Sequence, residues 1–226
     1  MKKTDNLILF GDSQFAEIAL EYFENYSPYK VVAFSVPHAY KKQSILHGLP
    51  VIDFEEIEEV LDPEHYKGFV SIAFSKLNRN REKMFNEAMF KGYDLVSFVH
   101  PRAFVASSAK LGKNVFLFEG NIVQSFVNIE DGVIGWSSNH WGHGSRVEKF
   151  AFISSHSVIS GNCHVGKYSF LGVNSTISDG VTIGDNAIIG AGSLVVKSVP
   201  ANCLVKGKAN FPEEGVNTLE KFGINE

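Results

Sequence analysis

Four of the eight histidines, His140, His143, His156 and His164, fall within 25 residues of one another. An imidazole that is neutral near pH 7 can take a proton from an attacking hydroxyl or amine, and acyl transfer makes that demand. Neutral imidazoles also bind metals, so the cluster has two chemical readings. A second set of candidates lies near the start of the chain. Gly11-Asp12-Ser13-Gln14-Phe15 joins an apolar run, Leu7 to Phe10, to an amphipathic segment, Phe15 to Phe23. Backbone amides at such a strand-to-helix turn make a natural anion site, because the helix N-terminus is partially positive. The turn holds one glycine, so it carries no dinucleotide-binding fingerprint. Asn78 and Arg81, in the stretch Leu77-Asn78-Arg79-Asn80-Arg81 after a later apolar run, are candidate phosphate ligands or the start of a capped helix.

Two kinds of element must position these groups. Up to Pro101, short apolar segments alternate with helical ones: strands at Leu7 to Phe10, Val31 to Phe34, Phe69 to Phe74 and Leu95 to Val99, and helices at Phe15 to Phe23, Asp53 to Val60 and Arg79 to Lys91. This is the pattern of a Rossmann-like α/β unit with a parallel sheet. Beyond Pro101 the period changes. Stepping by six from Val105 to Val195 meets sixteen residues, all apolar except Gly135, where a 44% hydrophobic chain would place about seven. The fourth residue after each is usually small or β-branched. One large and one small inward residue per hexad describes a solenoid of short parallel strands. The expected organisation is residues 1–101 as the α/β domain, 102–203 as the solenoid and 204–226 as a C-terminal tail.

The chain has 226 residues with 21 basic and 25 acidic side chains, a net charge of -4, which gives no reason to expect nucleic acid or an anionic membrane as partner. No apolar run approaches the roughly 20 residues of a membrane span. The start is too acidic and its apolar run too short for a signal peptide, so a cytoplasmic location is expected. Cys163 and Cys203 lack CxxC spacing and form no disulfide framework, in keeping with a reducing compartment.

Val165-Gly166-Lys167-Tyr168-Ser169-Phe170 and Ile183-Gly184-Asp185-Asn186-Ala187-Ile188 resemble the hexapeptide repeat of the left-handed β-helix acyltransferases. With the α/β half in front, residues 5 to 210 resemble the sugar acyltransferases related to sialic acid O-acetyltransferase and to the N-acetyltransferases of UDP-4-amino sugars. The most specific stretch runs from Asn139-His140-Trp141-Gly142-His143 through His156 to Gly172-Val173-Asn174. The resemblance implies a left-handed β-helix of slightly more than five coils, a homotrimer, acetyl-CoA as co-substrate, no metal, and a nucleotide-linked amino sugar acylated for surface-glycan synthesis. It makes His143 the general base and the Gly161 amide, one 18-residue coil later, the oxyanion donor. It puts the nucleotide at Gly11 to Phe15 with Ser35 near the ribose or base. It lines the coenzyme's pantetheine groove with Val173 and Ala191. His140 is a candidate for the substrate and His156 for the coenzyme, with packing at a subunit interface as the alternative for both, and Lys206 and Lys208 are candidates for the CoA phosphates.

Two departures stand out. The family orients its base with a following Glu, where this chain has Gly144, leaving a backbone carbonyl, Asn139, Glu148 or Glu119 to fix the tautomer. The family's closing glycine-x-proline reads Gly207-Lys208-Ala209. Sugar O-acetylation and a non-catalytic sugar-nucleotide-binding protein are the alternative functions. A β-helical carbonic anhydrase would need two histidines four residues apart, and the gaps here are three, thirteen and eight.

Overall fold

In the computed structural model, which describes residues 2–207, the first half forms β1 (Asp5–Phe10), α1 (Gln14–Tyr26), β2 (Tyr29–Val36), β3 (Ile45–Leu46), β4 (Leu49–Asp53), α2 (Ile57–Val60), β5 (Tyr66–Val70), α3 (Arg79–Phe90) and β6 (Asp94–Leu95). The sheet order is β3-β4-β2-β1-β5-β6, parallel except for the β3–β4 hairpin. Leu7, Ile8, Leu9 and Phe10 are fully buried because β1 is central and covered on both faces. The chain winds outward from β1 to β4 and then returns to β5 on the other side of β1. That reversal opens a crevice at the C-terminal ends of β1 and β5.

Three sequence expectations change in detail. The acidic segment after Asp53 is a 3-10 turn followed by the single turn of α2, because only Phe54 and Ile57 are buried there. The strand expected to reach Phe74 ends at Val70, where its pairing with β1 stops at Phe10. The strand expected at Leu95 to Val99 is two strands. Leu95 closes the α/β sheet, whereas Phe98–Val99 pairs with Phe116–Leu117 as the first rung of the solenoid. Ser97 makes the crossing. Its hydroxyl donates to the Gly112 carbonyl and accepts from the Val115 amide. The solenoid ladder therefore begins before Pro101.

From Phe98 to Val205 the chain is a left-handed parallel β-helix. Its two-residue strands stack at intervals of eighteen, as in Phe98, Phe116, Ile134, Phe152, Phe170 and Ile188, forming three sheets of seven, six and five strands. The second residue of each strand points inward, which is the register of the hexads. Every sixth residue from Asn114 to Gly192 has positive φ, so every corner turns through the left-handed region. Asn and Gly hold most of these corners because they tolerate that region at least cost. Phe126, Ser138, Phe150, His156 and Tyr168 hold the others. The last coil is shorter, since Ile188 pairs with Leu204 sixteen residues on.

The outer face of the first solenoid sheet carries Phe116, Ile134 and Phe152, which join Phe15, Phe23 and Phe69 in one aromatic core. The Phe98 and Phe116 rings stack at 4.6 Å, and Phe15 meets Phe116 edge-on at 5.5 Å. The two halves are thus fused through side chains that no period in the sequence pairs.

Candidate active site

The crevice at the β1/β5 reversal is a cleft of about 540 Å³, and Gly11, Asp12 and Ser13 form one wall of it. Gly11 lies at φ +128, and a Cβ there would sit 2.9 Å from the Ser71 carbonyl oxygen, so only glycine lets β1 and β5 diverge here. The opposite wall is the segment from Ile72 to Lys76, with Tyr40 beyond β2 and Asn80 and Lys83 on α3. Lys76, Leu77 and Asn78 lie at φ 48, 46 and 69, three consecutive residues in the left-handed region. Such strain persists only where the surroundings hold it. Asn78 supplies the hold. Its Nδ2 donates to the Tyr168 carbonyl at 2.9 Å, and its own carbonyl accepts the first helical amides of α3.

The expected nucleotide ligands divide accordingly. Gly11, Asp12 and Ser13 line the cleft, while Gln14 is the exposed first residue of α1. Phe15 is buried in the aromatic core, and Ser35 is fully buried with an unpartnered hydroxyl, so neither reaches a ligand in the cleft. Asn78 is spent on Tyr168. Arg81 corrects the expectation most plainly. It is fully buried, its Nε donates to the Gly132 carbonyl and its Nη2 to the Phe150 carbonyl, both at 2.8 Å, and its Nη1 turns to the Ile72 and Ala73 carbonyls. Burial pulls the guanidinium down to about 9, which still leaves it charged at neutral pH. Arg81 fastens α3 and the strand end to the solenoid and has no donor left for phosphate. Asn80, from the same stretch, stands in the cleft wall instead, together with Lys76, Tyr40 and Lys83, which the sequence reading did not single out.

The histidine cluster is spread over the solenoid. His143 is exposed at the corner between the second and third sheets, opposite the face on which the α/β half packs. Its amide donates to Gln124 Oε1 at 2.9 Å and its carbonyl accepts from the Asn162 amide at 2.8 Å. Its ring lies over Gly161, where a Cβ would be 2.5 Å from Cε1 and 2.8 Å from Nε2. The Gly161 N–H meets no acceptor among the described residues. Gly144 is the left-handed corner residue, at φ +67, and a Cβ on it would lie 2.5 Å from Asn162 Oδ1. The side chains expected to orient His143 are engaged elsewhere. Asn139 bonds the Trp136 carbonyl and the Ser157 amide, Glu148 bonds His164, and Glu119 accepts from Tyr22 and Ser137.

His140 points outward from its strand and is half-buried. His156, Val173 and Ala191 are exposed at the corner between the first and second sheets. One whole sheet therefore separates them from His143 in the same chain. Lys206 is exposed at the end of the last coil, and Lys208 lies outside the described residues. Among the described residues no three His, Cys, Asp or Glu side chains converge as a metal requires.

The family described as bacterial transferase hexapeptide (six repeats) matches residues 162–197. A search of curated proteins gives no match. Among solved structures, the acetyltransferase domain of PglB from Neisseria gonorrhoeae superposes with a TM-score of 0.81 at 25% identity, over 90% of this chain and 97% of that one. PerB from Caulobacter crescentus, solved in complex with CoA and GDP-perosamine, gives 0.79 at 27% identity, over 89% and 94%. Residues 162–197 carry the hexapeptide repeat, and by its similarity to these acetyltransferases the chain is an acyltransferase. WeeI from Acinetobacter baumannii shares the fold, with a TM-score of 0.53 at 19% identity over 90% of this chain and 97% of that one. The acyltransferase contains no helix long and apolar enough to cross a membrane among its described residues.

Proposed function

We propose that this acyltransferase moves the acetyl group of acetyl-CoA onto the amine of a nucleotide-linked sugar, in the cytoplasm and for surface-glycan synthesis. The observation that carries the proposal is the His143 corner: an exposed imidazole over a glycine whose N–H has no acceptor among the described residues. In the reaction, the substrate nitrogen attacks the thioester carbonyl while His143 takes its proton. The Gly161 N–H donates to the oxyanion of the tetrahedral intermediate. Collapse of that intermediate breaks the C–S bond and expels the thiolate of CoA, which takes up a proton.

The neighbouring structures support the ligands. PglB's domain was solved with acetyl coenzyme A, and PerB with CoA and a GDP-linked sugar. The cleft fits a nucleoside diphosphate, with the Asp12 and Ser13 amides and Lys76 meeting phosphate and Tyr40 meeting the base, while the Gly11 amide is held by the Ser35 carbonyl. Within one chain the cleft, the His143 corner and the Val173–Ala191 corner lie apart. A homotrimer in which the His143 corner of one protomer faces the Val173–Ala191 corner of the next closes the site. The second sheet's outer face, with Phe104, Ile122 and Leu194 exposed, is a surface such packing covers.

The test is CoA release by wild type and His143→Asn against UDP-, GDP- and dTDP-linked amino sugars. Turnover on at least one donor–acceptor pair, lowered by about 10²-fold or more in the variant with an unchanged melting temperature, is the expected result. Equal turnover in both proteins overturns the assignment.

A further inference from the structure

We infer that Asp179 is the positioning residue for His143, taking the place of the carboxylate that Gly144 does not supply. The inference rests on the reading of His143 as the base. At this corner His143, Gly161 and Asp179 follow one another at intervals of eighteen, on three successive coils. The position where a Gly161 Cβ would stand is 2.8 Å from His143 Nε2 and 2.7 Å from Asp179 Oδ1. The imidazole and the carboxylate thus reach toward one gap from opposite sides, and the missing side chain of Gly161 opens it. Their separation falls within the roughly 4–6 Å over which a carboxylate favours a protonated partner. Rotating the ring by half a turn exchanges Cε1 and Nε2, which both face this gap, so Nε2 addresses Asp179 in either assignment.

Asp179 is exposed and has no ion pair or side-chain hydrogen bond among the described residues. Its place is fixed by the backbone, since the next residue, Gly180, donates to the Gly161 carbonyl at 2.9 Å. The other charged or titratable groups around the corner are few. Lys197 lies further along the same edge and is exposed. Arg146 is held by Glu130 and Glu148, and the Cys163 thiol is pushed up by burial and stays neutral. Gln124 and Asn162 complete the surroundings without charge. Asp179 is therefore the one carboxylate on the column below the ring. It keeps the proton of the neutral imidazole on Nε2, leaves the Nδ1 lone pair for the substrate nitrogen, and stabilises the imidazolium once the proton has moved.

The experiment compares wild type, Asp179→Asn, Asp179→Glu and His143→Asn. Nitrogen NMR of labelled full-length protein follows the His143 ring, and steady-state kinetics follows acetyl transfer. In Asp179→Asn the Nε2–H tautomer loses its majority, and kcat falls roughly ten- to a thousandfold. KM for acetyl-CoA stays within about twofold, and Asp179→Glu recovers part of kcat. Asp179→Asn with the His143 tautomer of wild type overturns the inference, even if kcat falls. If His143→Asn retains full turnover, the reading of His143 fails instead, whatever Asp179 does to its ring.

Discussion

Trp141 fills the space that Gly135 leaves empty inside the solenoid: a Cβ on Gly135 would lie 2.5 Å from Trp141 Cζ2. The indole is fully buried, and its Nε1 donates to Asn121 Oδ1 at 2.7 Å. The hexad without an apolar anchor is thus the complement of the hexad with an oversized one. Gly135→Val overpacks this layer and should cost about 1–3 kcal/mol. Trp141→Leu leaves a cavity and an unpartnered Asn121 oxygen, for about 3 kcal/mol or more. The double variant should be more stable than the two losses added, because each change relieves the other. Urea midpoints of the four proteins measure that coupling, and strict additivity would refute the paired packing.

Arg81→Met tests the tether between the halves. The methionine fills the space, but the Gly132 and Phe150 carbonyls lose their donors where water cannot replace them. A loss of about 2–4 kcal/mol is expected from buried acceptors left unpaired. Affinity for a nucleotide sugar, measured by calorimetry below the melting temperature, should stay within about twofold. A selective loss of nucleotide binding with unchanged stability would return Arg81 to the role its sequence context suggested.

Lys76→Ala tests the cleft. The three left-handed residues put an exposed lysine on the wall opposite Gly11, Asp12 and Ser13, and it has no ion-pair partner among the described residues. The variant should bind a nucleotide sugar about five- to tenfold more weakly in low salt. The deficit should shrink as salt rises, because exposed charges are screened. Unchanged affinity at low salt would exclude Lys76 as a phosphate contact.

Much of this was legible in the sequence because a solenoid repeats one physical requirement. Each rung needs an inward apolar residue, so the hexads from Val105 to Val195 and the eighteen-residue coil could be counted, and the coil placed Gly161 beneath His143. The split between Leu95 and Phe98 was hidden, since both residues are apolar and nothing local says that they belong to different sheets. Arg81 and Ser35 misled for a related reason. Their burial depends on carbonyls and rings that arrive from far along the chain, and residue type alone suggests an exposed ligand. Lys76 gave no signal because its role rests on a backbone conformation that lysine rarely adopts. Asp179 lay within reach of the coil arithmetic, two coils beyond His143, but its meaning needed the empty Cβ position of Gly161.

Alkaline pH should expose the contact between Tyr22 on α1 and Glu119 on the solenoid. The Tyr22 hydroxyl donates to Glu119 Oε2 at 2.9 Å. Burial, and then this hydrogen bond to a carboxylate, push the phenol from 10.0 up to about 12. The folded state therefore favours the neutral phenol more than the unfolded chain does. That contribution is complete below pH 10, declines as the unfolded phenol ionises, and is gone once pH passes about 12. Tyr168, whose hydroxyl donates to Glu82 Oε1 at 2.5 Å and whose phenol is also pushed to about 12, follows the same course. The stability difference between wild type and Tyr22→Phe, from urea midpoints, should be constant from pH 7 to about pH 9.5 and then narrow steadily toward pH 12. Adding Tyr168→Phe should flatten the remaining alkaline slope further. A difference that stays constant through pH 12 would show that the phenol is not held neutral against Glu119, and that the junction of the two halves rests on its aromatic packing without this hydrogen bond.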